Sequence, residues 1–200
     1  MTEKPKEPRL IILARDRHIA GYNLPASMCR EIGRVIVRCA YLEHYIQRII
    51  YVLINIDLNI GRVAVREPRL TDRIDMLSEL AYVLDVRIDN ELLDSMKLRA
   101  EEYDVKRDLF AHCMWMYSTK HGQWAAQLTR GAWPKAPHDK APRERRKKRL
   151  KPEGVLYDVP AIQAIVAGID GLIEDARTIQ DTLDRELRSS RDKQKSQFVQ

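Results

Sequence analysis

The stretch DVKRDLFAHCMW, residues 104–115, holds the residues whose types and spacing best suit chemistry. Arg107, Asp108 and His112 fall within six residues of a segment whose apolar positions otherwise follow helical spacing. Asp108 and His112 are four residues apart, which is about 40° on an α-helix, so we expect their side chains to touch. Such a contact would orient the imidazole of His112 and fix its tautomer.

Arg107 occupies a position where packing alone would favour an apolar side chain. It continues the inner stripe of the predicted helix, which contains Leu92, Met96, Ala100, Tyr103 and Phe110. A buried charge is costly unless it is paired, so in a structural interpretation Arg107 neutralises Glu43, Asp104 or another carboxylate. Arg107 also lies about 140° around the helix from His112, so the two meet only through the long arginine side chain, a helix distortion or a second subunit.

Together these three residues suit cleavage of a phosphodiester bond in RNA. A histidine can take a proton from a ribose 2′-OH or give one to the leaving oxygen, and an arginine can hold the anionic phosphoryl group. This chemistry needs no metal, and only RNA has the internal 2′-OH nucleophile. We therefore predict that His112 is the general acid and base, that Arg107 stabilises the transition state, and that Asp108 orients His112.

The segment RDLFAH, residues 107–112, resembles the R-x4-6-H motif of HEPN-type proteins, in which a polar residue commonly follows the arginine. The resemblance covers the motif, its place late in a long helix, and the helices before and after it. It implies a HEPN-like helical bundle and a metal-independent endoribonuclease, of toxin or phage-defence type. It further implies a homodimer in which two motifs face one cleft, with RNA as the substrate and an antitoxin or other protein as a partner.

A second segment, RCAYLEH from Arg38 to His44, also fits the spacing. We assign the motif to Arg107 and His112 because Cys39, which is not polar, follows Arg38, and because Arg38 falls in the middle of the first predicted helix. The alternative to an enzyme is a non-catalytic helical module that binds a protein partner or nucleic acid. In that alternative the residues at 107–112 form a helix-end charge cluster, with His112 complementing the helix dipole.

The formal net charge of +6 is concentrated in one segment, PKAPHDKAPRERRKKRLKP at 134–152, which has nine basic residues against two acidic ones. We predict that its central side chains contact nucleic acid through the phosphate backbone. These side chains are Arg143, Arg145, Arg146, Lys147, Lys148 and Arg149. A solvated loop is an equally good interpretation, because blocks of like charge repel one another.

Other function classes have no support in the sequence. There is no HExxH, no paired Cys/His spacing, no P-loop, no GxGxxG and no GxSxG, so we predict neither a metal nor a cofactor.

The N-terminal MTEKPKEPR has no apolar core of a signal peptide, which predicts a cytoplasmic protein. The longest apolar stretch, at 45–60, is interrupted by polar residues and predicts no membrane helix. Cys29, Cys39 and Cys113 are predicted to be reduced core residues.

The fold class predicted from these patterns is mainly all-α, an up-down helical bundle with a small β-hairpin or loop insertion. Few glycines and only two phenylalanines favour helices over a turn-rich β architecture. We expect a leader at 1–22, a bundle domain at 23–187 into which the basic loop is inserted, and a flexible tail at 188–200.

Four helices are predicted from apolar periodicity. The first follows a seam of apolar positions at Met28, Ile32, Val35, Cys39, Leu42, Ile46, Ile49, Leu53 and Ile56. The second is capped by Thr71, and the third runs from about Asp89 or Asn90 to Cys113. The last begins near Val159 or Pro160 and contains the apolar positions Ile162, Ile165, Val166, Ile169, Leu172, Ile173, Ala176, Ile179 and Leu183.

Overall fold

The structure is a computed structural model and describes residues 9–12, 23–57, 59–61, 69–127 and 153–197. Most of the predicted leader and the whole basic loop at 134–152 lie outside these residues. The domain boundaries proposed above therefore stay predictions.

The chain is mainly helical with a small antiparallel sheet, which confirms the predicted fold class. In chain order the main elements are β1 (Arg9–Ile12), α1 (Ala26–Leu53), α2 (Leu70–Val83), α3 (Asn90–His112), β2 (Met114–Ser118), β3 (Gln123–Gln127), β4 (Glu153–Tyr157) and α4 (Val159–Gln197). The fold divides into two compact units, the first formed by Met1–Ile36 with Val105–Ala167 and the second by Val37–Asp104 with Gly168–Gln200.

Apolar periodicity placed α1 and α4 correctly. Every predicted seam residue of α1 from Met28 to Leu53 is buried, and only Ile56, beyond the end of the helix, is half-buried. All nine predicted core residues of α4 are buried as well. A sustained apolar stripe fixes which face of a helix turns inward, since that face alone has something to gain from burial. The helix α4 continues to Gln197, well into the segment that we assigned to a tail.

The helix starts depend on local hydrogen bonds and were predicted less well. The prediction that Thr71 caps α2 is wrong: the N-cap is Arg69, whose backbone N–H donates to the Asp72 carboxylate over 3.1 Å. Asp89 does cap α3, because its Oδ1 accepts from the N–H of Glu91 over 2.9 Å.

The first unit contains the sheet, in the order β1-β4-β3-β2 with all strands antiparallel. Strands β2 and β3 form the hairpin that the sequence left open between a hairpin and a loop. The strands β1 and β4 were not predicted. Their segments RLII and EGVLY are short, and β4 becomes a strand by pairing with β3 on one side and β1 on the other. Such distant pairing has no local sequence signal.

The second unit contains α2 and parts of the three long helices. Ion pairs join helices within it: Arg38 to Asp170 over 3.1 Å and Lys97 to Asp75 over 2.7 Å. Its inner stripe on α3 differs slightly from the prediction. Leu93 is buried in place of Leu92, whereas Met96 and Ala100 are buried as predicted.

Candidate functional site

The predicted catalytic residues lie in the last two turns of α3, within the first unit. The side chain of Arg107 is 32% exposed and that of Asp108 is 59% exposed. His112 is the final residue of α3 and is exposed. All three side chains are therefore accessible to solvent.

The structure pairs Asp108 with Arg107. The distance between Arg107 Nη1 and Asp108 Oδ1 is 2.9 Å. In the part of the chain that the structure describes, no hydrogen bond or ion pair joins Asp108 to His112, so the contact predicted from their four-residue spacing is not formed. Asp108 forms a charge-assisted bond with the adjacent guanidinium in its place.

An aromatic cluster packs against the end of α3, which carries His112. Phe110 is buried, and its ring centroid lies 5.6 Å from that of Trp115 and 4.9 Å from that of Tyr157. The backbone N–H of Cys113 donates to the carbonyl of Leu109 over 2.8 Å and closes the last turn. The end of α3 is thus anchored to β2 and β4 while His112 projects outward. Tyr157 was missed from the sequence because β4 was missed.

Two other titratable groups near the end of α3 are unsuited to acid-base work at neutral pH. Burial raises the pKa of the Cys113 thiol from its ordinary value of 9.0 to about 12. Burial also raises the pKa of Tyr157 from 10.0 to about 12, with a smaller contribution from the nearby Cys113. Both groups stay protonated, and a buried protonated thiol is a poor nucleophile.

None of the three cysteines, all within the described ranges, forms a disulfide, and the prediction that all three are core residues is only partly right. Cys39 is buried and Cys113 is half-buried, but Cys29 is exposed. Within the described ranges, no group of three or more His, Cys, Asp and Glu side chains is arranged to hold a metal ion.

The six basic residues predicted to contact nucleic acid, from Arg143 to Arg149, lie outside the described residues. Their role stays a prediction.

Comparison with family models, with curated proteins and with solved structures finds no match to this chain. Among the described residues, no helix is both long and apolar enough to cross a membrane. The site is therefore interpreted from its own geometry.

Proposed function

We propose that the chain is a HEPN-like, metal-independent endoribonuclease of toxin or phage-defence type, acting in the cytoplasm. The observation that carries the proposal is the state of His112. It is exposed at the end of an anchored helix, and it forms no hydrogen bond or ion pair with the described part of the chain. Arg107 and Asp108 lie one to two turns before it. An arginine and an unengaged histidine at one exposed helix end suit an anionic substrate that needs proton transfer.

In the proposed reaction His112 takes the proton from a ribose 2′-OH. The 2′-oxygen attacks the adjacent phosphorus and the bond from phosphorus to the 5′-oxygen breaks. The imidazolium form of His112 then gives its proton to the leaving 5′-oxygen and returns to the neutral state. The products are a 2′,3′-cyclic phosphate and a 5′-hydroxyl. Arg107 donates hydrogen bonds to the phosphoryl oxygens as negative charge builds up. Asp108 acts on Arg107, 2.9 Å away, by holding its guanidinium, in place of the predicted action on His112.

The proposed active form is a homodimer. Arg107 and His112 point about 140° apart on one helix, so a single α3 presents them poorly to one phosphate. If one copy presents His112 to the phosphate, a second copy would supply Arg107 from its own α3. An antitoxin or other protein that covers this helix end would then silence the enzyme.

The test is cleavage of a mixed RNA pool by the purified full chain, with EDTA present. We expect wild-type protein to produce 2′,3′-cyclic phosphate ends. His112→Ala and Arg107→Ala should each lower the rate at least about 100-fold, because each removes a group that acts in the transition state.

The chain supplies its own matched controls. Arg38→Ala and His44→Ala change the other Arg–His pair and should leave cleavage unchanged. If the wild type is inert at high protein concentration, or if His112→Ala cleaves like the wild type, the proposed enzyme is excluded.

A non-catalytic module is the second candidate, and the pairing of Arg107 with Asp108 favours it. A guanidinium engaged by its own neighbour is less free to grip a phosphate. This candidate predicts binding of RNA or a protein without cleavage. Binding that persists in His112→Ala, with no cleavage by the wild type, would support it.

A further inference from the structure

A groove of about 720 Å³ lies in the second unit, where α2 ends and α3 begins. Its lining comes entirely from residues between Ser78 and Asp94. The volume is in the range of sites that accommodate a small ligand or a few side chains of a peptide. The sequence pattern did not predict this groove, because its lining residues belong to two helices and the turn between them.

The backbone around the groove is held by hydrogen bonds at both helix ends. Asp85 follows α2 with a φ of 53°, in the left-handed region that ends many helices. Its N–H donates to the Tyr82 carbonyl over 3.3 Å, and the N–H of Val86 donates to the Ala81 carbonyl over 2.9 Å. Asp89 then caps α3. These bonds hold the backbone that carries the lining residues, which lowers the entropy cost of ordering that backbone on binding.

One large and uncovered side chain, that of Tyr82, lines the groove. Tyr82 is 89% exposed, Val83 is 75% exposed and Leu84 is 45% exposed. Only Tyr82 of these three lines the groove, because successive side chains at a helix end point about 100° apart. Tyr82 is therefore the apolar side chain that an occupant of the groove would cover.

The lining of the groove is acidic. Glu79, Asp85 and Asp94 are opposed there by one cation, Arg87, which leaves a net charge of −2. None of the three carboxylates forms a hydrogen bond or an ion pair through its side chain with the residues that the structure describes. The charge of Asp94 also acts on Lys97, so it is mainly the fields of Glu79 and Asp85 that are directed at the solvent and at whatever enters the groove.

We propose that this groove binds a cationic amphipathic segment of a partner protein. Its lysine or arginine side chains pair with Glu79, Asp85 and Asp94, and its apolar side chains cover Tyr82. The sign of the charge argues against a nucleic acid, whose phosphates the lining repels, and against the same groove of a second copy, which carries the same charge. The inference does not depend on the proposed ribonuclease activity, since no residue of that site lines the groove.

The test is an NMR titration of the isotope-labelled full chain with a short synthetic helical peptide that has a lysine face and a leucine face. We expect the amide signals of residues 78–94 to shift. Combined Glu79→Gln, Asp85→Asn and Asp94→Asn substitutions should weaken binding about tenfold or more, as should Tyr82→Ser. Asparagine is chosen at position 85 because it tolerates the left-handed backbone.

The matched control removes the same charge elsewhere in the unit through Glu101→Gln, Asp181→Asn and Asp184→Asn, and should leave binding within about twofold. Shifts spread over all acidic surfaces and equally weakened by the control variant would overturn the proposal. So would groove signals that move with protein concentration alone, since a second copy would then be the occupant. Groove signals that move when the arginines and lysines at 143–149 are changed to glutamine would reassign the groove to the chain's own basic segment.

Discussion

The chain contains two Arg–His pairs of similar spacing in very different surroundings. Arg38 lies in the middle of α1, is followed by the buried Cys39, and pairs with Asp170 of α4 over 3.1 Å. Arg107 lies near the end of α3 and is followed by an exposed aspartate with which it pairs over 2.9 Å. In neither pair do the arginine and the histidine lie on the same side of their helix. The two residues of each pair are separated by an angle of about 120–140° around the helix axis.

The difference shows that the spacing between an arginine and a histidine does not by itself identify a functional site. The first pair is explained by packing, because Arg38 joins two helices and the residue after it fills the core. The second pair stands where a helix stops and its last side chain, His112, meets solvent. Stability measurements on matched variants can separate the packed positions from the exposed ones.

The largest effect is expected where α3 packs on α4. A Cβ on Gly168 would lie 1.8 Å from the Tyr103 hydroxyl oxygen, whereas one on Gly171 would meet nothing within 4 Å. We expect Gly168→Ala to lower the free energy of unfolding by about 1–3 kcal/mol. Gly171→Ala should raise it by up to about 1 kcal/mol, since alanine is the better helix former.

Urea unfolding followed by circular dichroism measures both glycine variants. Gly168→Ala should cost less unfolding free energy in a Tyr103→Ala background than in the wild type, because the side chain that it would meet is then absent. Equal effects at the two glycines would mean that Tyr103 does not pack against α4 as described.

The next effect is the loss of stability at alkaline pH that is caused by the buried side chains of Cys113 and Tyr157. Folded Cys113 and Tyr157 have pKa values of about 12, above their ordinary values of 9.0 and 10.0. The unfolded chain therefore releases these protons first, so the stability that they contribute is complete below about pH 9 and is lost as the pH rises towards about 12. Unfolding free energies measured across this range should fall with pH.

The Cys113→Ala variant should show a shallower alkaline fall than the wild type, because one of the two groups is gone. Cys29→Ala is the matched control, since Cys29 is exposed, and its profile should follow the wild type. Identical slopes in Cys113→Ala and wild type would contradict the burial of the thiol.

The smallest effects are expected at the Arg–His pairs themselves. Arg38→Ala should cost no more than about 1 kcal/mol of unfolding free energy, because the Arg38 and Asp170 side chains are 44% and 39% exposed. His112→Ala and His44→Ala should each stay within about 0.5 kcal/mol of wild type, since both side chains are exposed. Thermal melts of the three variants test this. A large loss in His112→Ala would show that His112 has a structural role.

The helices were predictable because their signal is repeated many times along the chain. Ile32, Val35 and Leu42 of α1 belong to a stripe whose period matches the helix, and errors at single positions average out. The start of α2 was misplaced by two residues because a single hydrogen bond, to Asp72, decides it. Strand β4 was missed because its partners are far away in sequence.

The candidate site was predictable in identity but not in geometry. The position of Arg107, Asp108 and His112 at the end of one helix follows from the amino-acid order alone, since helical periodicity and residue type are local properties. Three features follow only from the folded chain: Asp108 pairs with Arg107, Phe110 packs with an unpredicted strand at the helix end, and α2 and α3 meet in an acidic groove. These features depend on competition between partners that are distant in sequence, which no single segment of the chain encodes.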